Sequence, residues 1–265
     1  TEPFEISLGT KTKATNILVI IQTESGIRGY GEGSPIPAVT GETQGAALET
    51  AIATKEIVEG QPIGEYRRII EEVRRTFPGM TSATFAVETA LLYAFCRERD
   101  IAMSELYGGQ PVPVETDLTI PILSPSDAQE RAVDAADAGF SHLKIKTGTD
   151  VDDDLSRVNA VRDAAPDAEL KIDANQGWSA KETFRFASRV ESLGIDLALI
   201  EQPVPAADVD GLADVRHRVD IPIAADEAVF TTEDATRIVK ERAADILNVK
   251  LGKSGPLASA DIVSI

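Results

Sequence analysis

From residue 112 onward the chain alternates short apolar segments with amphipathic ones, and this alternation restricts the fold more than any other feature of the sequence. The apolar segments have the length of strands, and the segments between them show helical periodicity. Because a helix between two strands carries the chain back to the same edge of a sheet, the strands must run parallel. The sequence therefore predicts an α/β fold, either a (β/α) barrel or a doubly wound sheet. The predicted strands span residues 114–120, 142–147, 169–173, 197–201, 222–226 and 246–251.

The first 110 residues follow a different pattern. Residues 15–23 are apolar and largely β-branched, and a glycine-punctuated turn follows them, which predicts antiparallel strands. The glycines of this turn are Gly26, Gly29, Gly31 and Gly33. Helical patterns then cover residues 43–59, 64–76 and 82–99. A Gly-Gly-Gln-Pro sequence beginning at Gly108 predicts the end of this part. We expect an α+β domain over residues 1–110 and a barrel domain over residues 111–265.

The two ends of the chain carry expectations of their own. The chain begins at Thr1 without an initiator Met, and no seventh or eighth strand follows the sixth. We therefore expect these residues to belong to a longer product. The predicted barrel domain is truncated after the sixth strand and is not expected to close by itself.

The charge and the cysteine content exclude several classes of function. The chain has 44 Asp and Glu residues against 26 Lys and Arg, a formal net charge of −18. A surface of this sign repels phosphate backbones and anionic lipid, so we expect neither nucleic acid nor a membrane as a partner. The apolar runs are far shorter than the roughly 18 residues that a bilayer crossing needs. Cys96 is the only cysteine, which excludes an internal disulfide and favours the reducing cytoplasm.

The excess of carboxylates is also typical of proteins that stay soluble in concentrated salt, so we hypothesise a salt-loving source. Salt screens the repulsion among these charges. The free energy of unfolding should therefore rise steadily as KCl is increased into the molar range. A series of denaturation curves in KCl measures this, and a stability indifferent to salt would count against the hypothesis.

One ionisable residue stands at the C-terminal end of each strand from the second to the sixth. These residues are Lys146, Asp173, Glu201, Asp226 and Lys250. Their separations correspond to one βα unit each, so in a barrel all five gather on the rim where barrel enzymes build their sites. A charged residue at one strand end is weak evidence, because it can simply be solvated. Five in succession predict a functional site.

Three carboxylates that converge from neighbouring strands repel one another unless a cation lies among them. A site made only of oxygen ligands suits Mg²⁺, with Mn²⁺ as the alternative. With a lysine on either side, such a site supports removal of a proton next to a carboxylate, since a divalent ion stabilises the enediolate that forms. Burial and nearby positive charge lower the pKa of a lysine and make its neutral amine available as the base.

The motifs around these residues, in this order, resemble the enolase superfamily and specifically its muconate-lactonizing-enzyme-like branch. The motifs are HLKIK at 142–146, DAN at 173–175, EQP at 201–203, DE at 226–227 and NVKL at 248–251. The resemblance implies an N-terminal α+β capping domain and a modified (β/α)7β TIM-type barrel. It also implies the role of each site residue. Mg²⁺ is expected on Asp173, Glu201 and Asp226, acid/base chemistry from Lys146 and Lys250, and support of the metal ligands or contact with the substrate from Lys144, Asn175 and Glu227.

Within this branch, KIKTG around Lys146 and the loop at 39–43 look most like the dipeptide epimerases. Two lysines on opposite sides of one carbon are what a 1,1-proton transfer needs, so we expect epimerisation of a dipeptide of the L-Ala-D/L-Glu type. The same branch also contains cycloisomerases of the muconate type, o-succinylbenzoate synthases and N-acylamino acid racemases. A barrel that binds a metal or ligand without turnover is the alternative from another class. The family habit of assembling makes a homo-oligomer an expectation.

Two features near the site have simpler interpretations. The acidic run at residues 150–154 lacks the spacing of a calcium loop and is predicted to stabilise a helix N-terminus through the helix dipole. Trp178, just past the Asp-Ala-Asn motif, is predicted to pack at the rim.

Overall fold

The computed structural model describes residues 4–6, 9–11 and 13–265. Contacts within the chain define two units. The sheet unit comprises Thr1–Lys13 and Val114–Asn248, and the helical unit comprises Ala14–Pro113 and Val249–Ile265. The segment after Asn248 is thus grouped with the first part of the chain. The predicted division into two domains at residue 110 stays a prediction.

The helical unit contains helices in all three stretches predicted for the first part of the chain, and two short helices that were not predicted. The predicted stretches form α2 (Gln44–Ala53), α3 (Lys55–Val58), α4 (Tyr66–Thr76) and α5 (Thr81–Arg99), and the additional helices are α1 (Pro37–Thr40) and α6 (Met103–Leu106), with a 3₁₀ turn at Ile63–Glu65. The helix predicted over residues 43–59 is interrupted between α2 and α3. Thr43 caps α2 by accepting a hydrogen bond from the backbone of Ala46. The long helix α5 is the centre of the unit, with most of its residues buried.

Two antiparallel hairpins precede these helices among the described residues. β1 (Phe4–Ile6) pairs with β2 (Gly9–Lys11), and β3 (Ile17–Gln22) pairs with β4 (Arg28–Gly33). The second hairpin confirms the antiparallel strands expected after residue 15. The glycine-rich segment, however, is only partly a turn. Gly26 lies in the turn with a φ of 88°, whereas the three later glycines lie within β4.

The glycines of β4 are explained by the close approach of this strand to α5. Gly29, Gly31 and Gly33 alternate along β4 and point to the same face, which is buried. A Cβ atom built on Gly31 would overlap the carbonyl oxygen of Ala86, and one on Gly29 would overlap that of Ala90. The strand can therefore approach the helix backbone only because these side chains are absent.

Replacing Gly31 by alanine is expected to lower the free energy of unfolding by about 1–3 kcal/mol, because the new methyl group forces β4 away from α5. Urea denaturation measures the effect. The matched control is Gly45→Ala in α2, where a Cβ meets no atom within 4 Å. The control should be neutral or stabilise the protein by up to about 1 kcal/mol. Similar changes in both variants would refute the close-packing explanation.

The sheet unit contains the predicted parallel strands. They are β5 (Leu118–Ile120), β6 (His142–Lys146), β7 (Glu169–Asp173), β8 (Leu199–Glu201), β9 (Ile223–Ala225) and β10 (Ile246–Leu247). Neighbours in the sheet are neighbours in the chain, and all five pairings are parallel. A doubly wound sheet reverses its strand order at a switch point. The sequential order therefore decides between the two predicted architectures in favour of the barrel type.

Helices follow these strands as the alternation predicts. They are α7 (Pro125–Asp137), α8 (Val151–Ala164), α9 (Ala180–Ser192), α10 (Val209–Arg218) and α11 (Thr232–Glu241), followed in the helical unit by α12 (Leu251–Ser254) and α13 (Pro256–Val263). Ser124 and Ser179, among others, cap the helix N-termini with their side chains. The sixth strand was predicted to reach residue 251 but ends at Leu247. Lys250 instead precedes α12, as its N-cap residue.

Alternate residues of the strands form the apolar interior of the sheet unit. Leu143, Ile145, Leu170, Ile172 and Ile200 are fully buried. The residues between them therefore face the opposite side of the sheet. Within the described part of the chain, none of the helices combines the length and apolar character that a membrane crossing requires.

Candidate active site

Three buried carboxylates meet at the C-terminal edge of the parallel sheet. Asp173 and Glu201 are the last residues of β7 and β8, and Asp226 directly follows β9. One carboxylate oxygen from each residue lies within 4.8 Å of the others. Such a set of hard oxygen donors, closely spaced and buried, fits a divalent cation such as Mg²⁺.

The strand register explains why these side chains meet. Lys146 is aligned with Asp173, and Asp173 is aligned with Glu201, across three adjacent parallel strands. Parallel strands place their C-terminal ends at one edge, so residues 27 or 28 positions apart in the chain become direct neighbours. The last residue of each of these three strands is thus a charged group at the same edge.

Two lysine side chains point into this cluster from β6. Lys144 and Lys146 lie on the same face of the strand because they are two residues apart. The Nζ atom of Lys146 is 2.7 Å from Oδ2 of Asp173 and 2.8 Å from Oδ1 of Asn175. The Nζ atom of Lys144 is 2.9 Å from Oδ2 of Asp173 and 2.7 Å from Oε2 of Glu201. Both ammonium groups therefore compensate the carboxylate charge directly.

The pKa values of two of the clustered carboxyl groups, Asp173 and Glu201, shift in opposite directions. Burial raises the pKa of Asp173, but the ammonium groups of Lys144 and Lys146 together outweigh burial and lower that pKa to about 2. The pKa of Glu201 rises to about 7, because burial and repulsion from Asp173 and Asp226 exceed the attraction of the neighbouring ammonium. Burial would lower the pKa of Lys144, but the adjacent carboxylates outweigh it and raise that pKa. The cluster thus has an excess of negative charge that a divalent cation would neutralise.

Asn175 and Glu227 form a buried polar pair beside the cluster. Nδ2 of Asn175 donates to Oε1 of Glu227 at 3.0 Å, and the backbone N–H of Asn175 donates to Oδ1 of Asp173 at 2.9 Å. Burial, followed by repulsion from Asp226, raises the pKa of Glu227. Its buried Oε2 atom has no hydrogen-bond partner within the part of the chain that the structure describes. The pair fixes the amide oxygen of Asn175 against the amine of Lys146.

Two further residues take part in the site although the sequence reasoning assigned them no role. Gln202 is fully buried, and its Oε1 atom accepts hydrogen bonds from the backbone of Asp226 at 2.9 Å and of Ala228 at 3.1 Å. Nδ2 of Asn248 donates to Oε1 of Glu201 at 2.8 Å. Both residues belong to the motifs that carried the family resemblance. The signal in the sequence was therefore their position within two residues of a charged residue of the site.

Lys250, the second predicted acid/base residue, falls within the helical unit. It is the N-cap residue of α12 and is exposed to solvent. It follows Asn248 by two positions in the chain. Its catalytic role stays a prediction from the family resemblance.

Comparison with protein-family models matches both parts of the chain. Residues 1–108 match the N-terminal domain of the mandelate racemase / muconate lactonizing enzyme family. Residues 127–263 match the enolase C-terminal domain-like family. The resemblance inferred from the motifs is therefore confirmed over most of the chain.

Curated relatives and solved structures agree with this assignment. An L-Ala-D/L-Glu epimerase from Thermotoga maritima is 38% identical over 264 residues, which cover 100% of this chain and 76% of that protein. The structure of a substrate-liganded complex of the L-Ala-D/L-Glu epimerase from Bacillus subtilis superposes with a TM-score of 0.95 at 34% identity, covering 99% of this chain and 74% of the other. A dipeptide epimerase from Cytophaga hutchinsonii, complexed with Mg and the dipeptide D-Ala-L-Val, gives a TM-score of 0.96 at 30% identity, covering 100% and 72%. The chain belongs to the mandelate racemase and muconate lactonizing enzyme family of the enolase superfamily.

Proposed function

We propose that this chain carries the site of a Mg²⁺-dependent isomerase that epimerises dipeptides, with the L-Ala-D/L-Glu type as the leading substrate class. The observation that carries the proposal is the position of Lys146, whose amine lies 2.7 Å from Asp173 at the edge of three buried carboxylates. A base beside a cation site is the arrangement needed to remove a weakly acidic proton next to a carboxylate. The epimerases among the relatives support the substrate class.

The proposed reaction exchanges one proton at the substrate's α-carbon. When bound, a divalent cation held by Asp173, Glu201 and Asp226 supplies positive charge that stabilises the negative charge developing on the substrate carboxylate. Once Lys146 has lost a proton, its Nζ atom takes the α-proton, and the electron pair of the C–H bond moves toward the carboxylate. A proton delivered to the opposite face then gives the other epimer, a role that we assign to Lys250 from the family resemblance. The roles of the two lysines exchange for the reverse reaction.

Three neighbouring residues hold the Lys146 amine in position and balance the charge of the carboxylates. Asn175 accepts a hydrogen bond from the Lys146 amine, so it fixes where the nitrogen stands before the substrate binds. Glu227 holds Asn175 in turn. Lys144 lies between Asp173 and Glu201 and keeps a positive charge beside the place where substrate charge develops. All three support the transfer without themselves exchanging the proton.

Proton NMR in D₂O with Mg²⁺ and a pool of L,L-dipeptides that includes Ala-Glu tests the proposal on full-length protein. Loss of an α-proton signal together with the appearance of a new diastereomer is the expected result. Exchange at the α-carbon of N-acyl amino acids instead would identify an N-acylamino acid racemase. Turnover of a muconate-type or o-succinylbenzoate-type substrate without exchange would identify those alternatives. Metal binding without exchange or turnover would indicate a binding protein.

The metal ion, the compartment, the partners and the assembly of the protein are expected from its composition and family. Mn²⁺ is the alternative ion, because its preference for oxygen ligands is similar. We place the protein in the cytoplasm, which its single cysteine supports, and infer neither nucleic acid nor membrane as a partner from its net charge of −18. The same charge supports a salt-loving source. A homo-oligomer stays an expectation from the family habit.

A further inference from the structure

Asp154 is a buried carboxylate that the proposed reaction does not use. The acidic run to which it belongs was predicted to stabilise the start of α8, and Asp150 does so by capping the backbone N–H groups of Asp152 and Asp153. Asp154, in contrast, is 0% exposed and points into the protein. A buried charge without partners would be strongly destabilising, so its hydrogen bonds indicate its role.

The carboxylate of Asp154 joins the loops that follow β6 and β7. Its Oδ2 atom accepts hydrogen bonds from the backbone N–H groups of Gly148 and Thr149, both at 2.9 Å, and its Oδ1 atom accepts one from the Thr149 hydroxyl at 2.9 Å. On the other side, Nε1 of Trp178 donates to Oδ2 at 3.2 Å. Trp178 is also buried and packs on Phe186 with ring centroids 4.7 Å apart.

The backbones of these two loops are in direct contact. A Cβ atom on Gly148 would overlap the carbonyl oxygen of Ala174, and one on Gly177 would overlap that of Gly148. Gly148 also has a φ of 95°, which favours glycine. The backbone N–H of Thr147 donates to the carbonyl of Asp173 at 2.9 Å. The residues after Lys146 therefore have little freedom to move relative to the residues after Asp173.

Arg157 extends this arrangement to Lys146 itself. Its Nη1 atom is 2.7 Å from Oδ1 of Asp154 and 3.3 Å from the carbonyl oxygen of Lys146. Its Nε atom donates to the carbonyl of Leu123 at 2.8 Å. Arg157 is itself buried, so these contacts are sheltered from water. The Arg157 guanidinium thus connects the end of β6 to the segment that follows β5 through hydrogen bonds.

We propose that Asp154 and Arg157 are positioning residues for Lys146. They fix the backbone at the end of β6 against the loop that carries Asn175, and so determine where the Lys146 amine meets the α-proton. Small displacements of a reacting group are costly, since a shift of about 1 Å can reduce a rate by about 100-fold. This inference rests on the proposed function, because it assigns Lys146 as one of two bases.

A misplaced Lys146 changes how the deprotonated substrate is reprotonated, which general destabilisation of the protein does not. In a two-base epimerisation, the deprotonated substrate is reprotonated either by Lys146 or by the second base. If Lys146 is misplaced, its share falls whichever epimer was used to start. In D₂O, the epimer whose proton faces Lys146 regains deuterium from Lys146 and becomes product through the second base. It should therefore give less deuterium-labelled starting material for each product molecule. The opposite epimer regains deuterium from the second base, so it should give more labelled starting material for each product molecule.

The test uses Asp154→Asn, with Asp152→Asn as the matched control on the same helix. Asp152 is exposed and pairs with Arg189, which is also exposed. For Asp154→Asn we expect kcat to fall by about 10- to 100-fold with little change in KM. The ratio of deuterium in recovered substrate to product should shift in opposite directions for the two epimers. The control should stay within about 2-fold of the unaltered protein in both measurements.

A second variant, Arg157→Lys, guards against failure of Asp154→Asn to fold. It keeps a positive charge beside Asp154 but cannot reproduce all the hydrogen bonds of the planar guanidinium. The same opposite shifts are expected. Equal scaling of all rates with unchanged deuterium ratios, or no loss of rate in the folded variants, would overturn the inference. Absence of α-proton exchange in the unaltered protein would instead overturn the proposed function, and the inference with it.

Discussion

Replacing Lys146 by methionine is expected to lower the rate of epimerisation by about 10²- to 10⁴-fold, the usual contribution of a general acid or base. Methionine keeps the length and apolar part of the side chain but removes the amine that lies 2.7 Å from Asp173 and 2.8 Å from Asn175. Conversion of one dipeptide epimer into the other, followed by proton NMR or by optical rotation, measures the loss.

The α-proton exchange that remains in the Lys146→Met variant tests whether a second base is present. If a second base acts on the opposite face, one epimer should still exchange its α-proton with D₂O while conversion between epimers is blocked. Lys181→Met is the matched control, since Lys181 is an exposed lysine on α9. It should leave both rates unchanged. Epimerisation by the Lys146 variant within about 3-fold of the unaltered protein would show that Lys146 is not a base.

Removal of divalent cations with EDTA is expected to abolish epimerisation, and added Mg²⁺ is expected to restore it. The physical reason is that Asp173, Glu201 and Asp226 bring three buried carboxylates together. Without a cation, no comparable positive charge would stabilise the negative charge that develops on the substrate. The cation supplies several kcal/mol of such stabilisation, and each 1.36 kcal/mol changes a rate by about tenfold. The loss should therefore be at least about 10³-fold.

A variant of one carboxylate distinguishes a specific cation site from a general effect of EDTA. Asp226→Asn should raise the Mg²⁺ concentration required for half-maximal activity by more than about tenfold, because it removes one charged ligand. Asp210→Asn is the control, since Asp210 is an exposed carboxylate in the first turn of α10. Activity that survives exhaustive chelation would exclude the metal-dependent mechanism. An unchanged Mg²⁺ requirement in Asp226→Asn would exclude that residue as a ligand.

The sequence alone predicted the parallel sheet and most of the residues at its functional edge. Strands and helices are local features, and their periodicity can be read over about ten residues. The strand pattern was therefore sufficient to place Lys146, Asp173, Glu201 and Asp226 at one common edge, whereas Lys250 lies beyond the end of β10, before α12. Asp173, Glu201 and Asp226 form the predicted cluster for this reason.

Other features depend on contacts between distant parts of the chain. The sequence left the barrel and the doubly wound sheet as alternatives, and only the order of the strands decided between them. Gly29 and Gly31 were interpreted as part of a turn, whereas they lie in a strand packed against α5. In both cases, local sequence is compatible with more than one arrangement, and packing selects one.

The finer structure of the site was determined in the same way. The sequence marked Asp173 and Lys146 as functional. It could not show that Asn248 donates a hydrogen bond to Glu201, which is 47 residues distant in the chain. Nor could it show that the buried carboxylate of Asp154 accepts hydrogen bonds from two loops. Those contacts depend on strand register and on the close approach of backbones. The sequence by itself determined that Lys146, Asp173, Glu201 and Asp226 reach the edge of the sheet, because element type and strand ends are local properties. Only the tertiary structure decided which groups touch, because hydrogen bonds and burial arise when distant segments pack together.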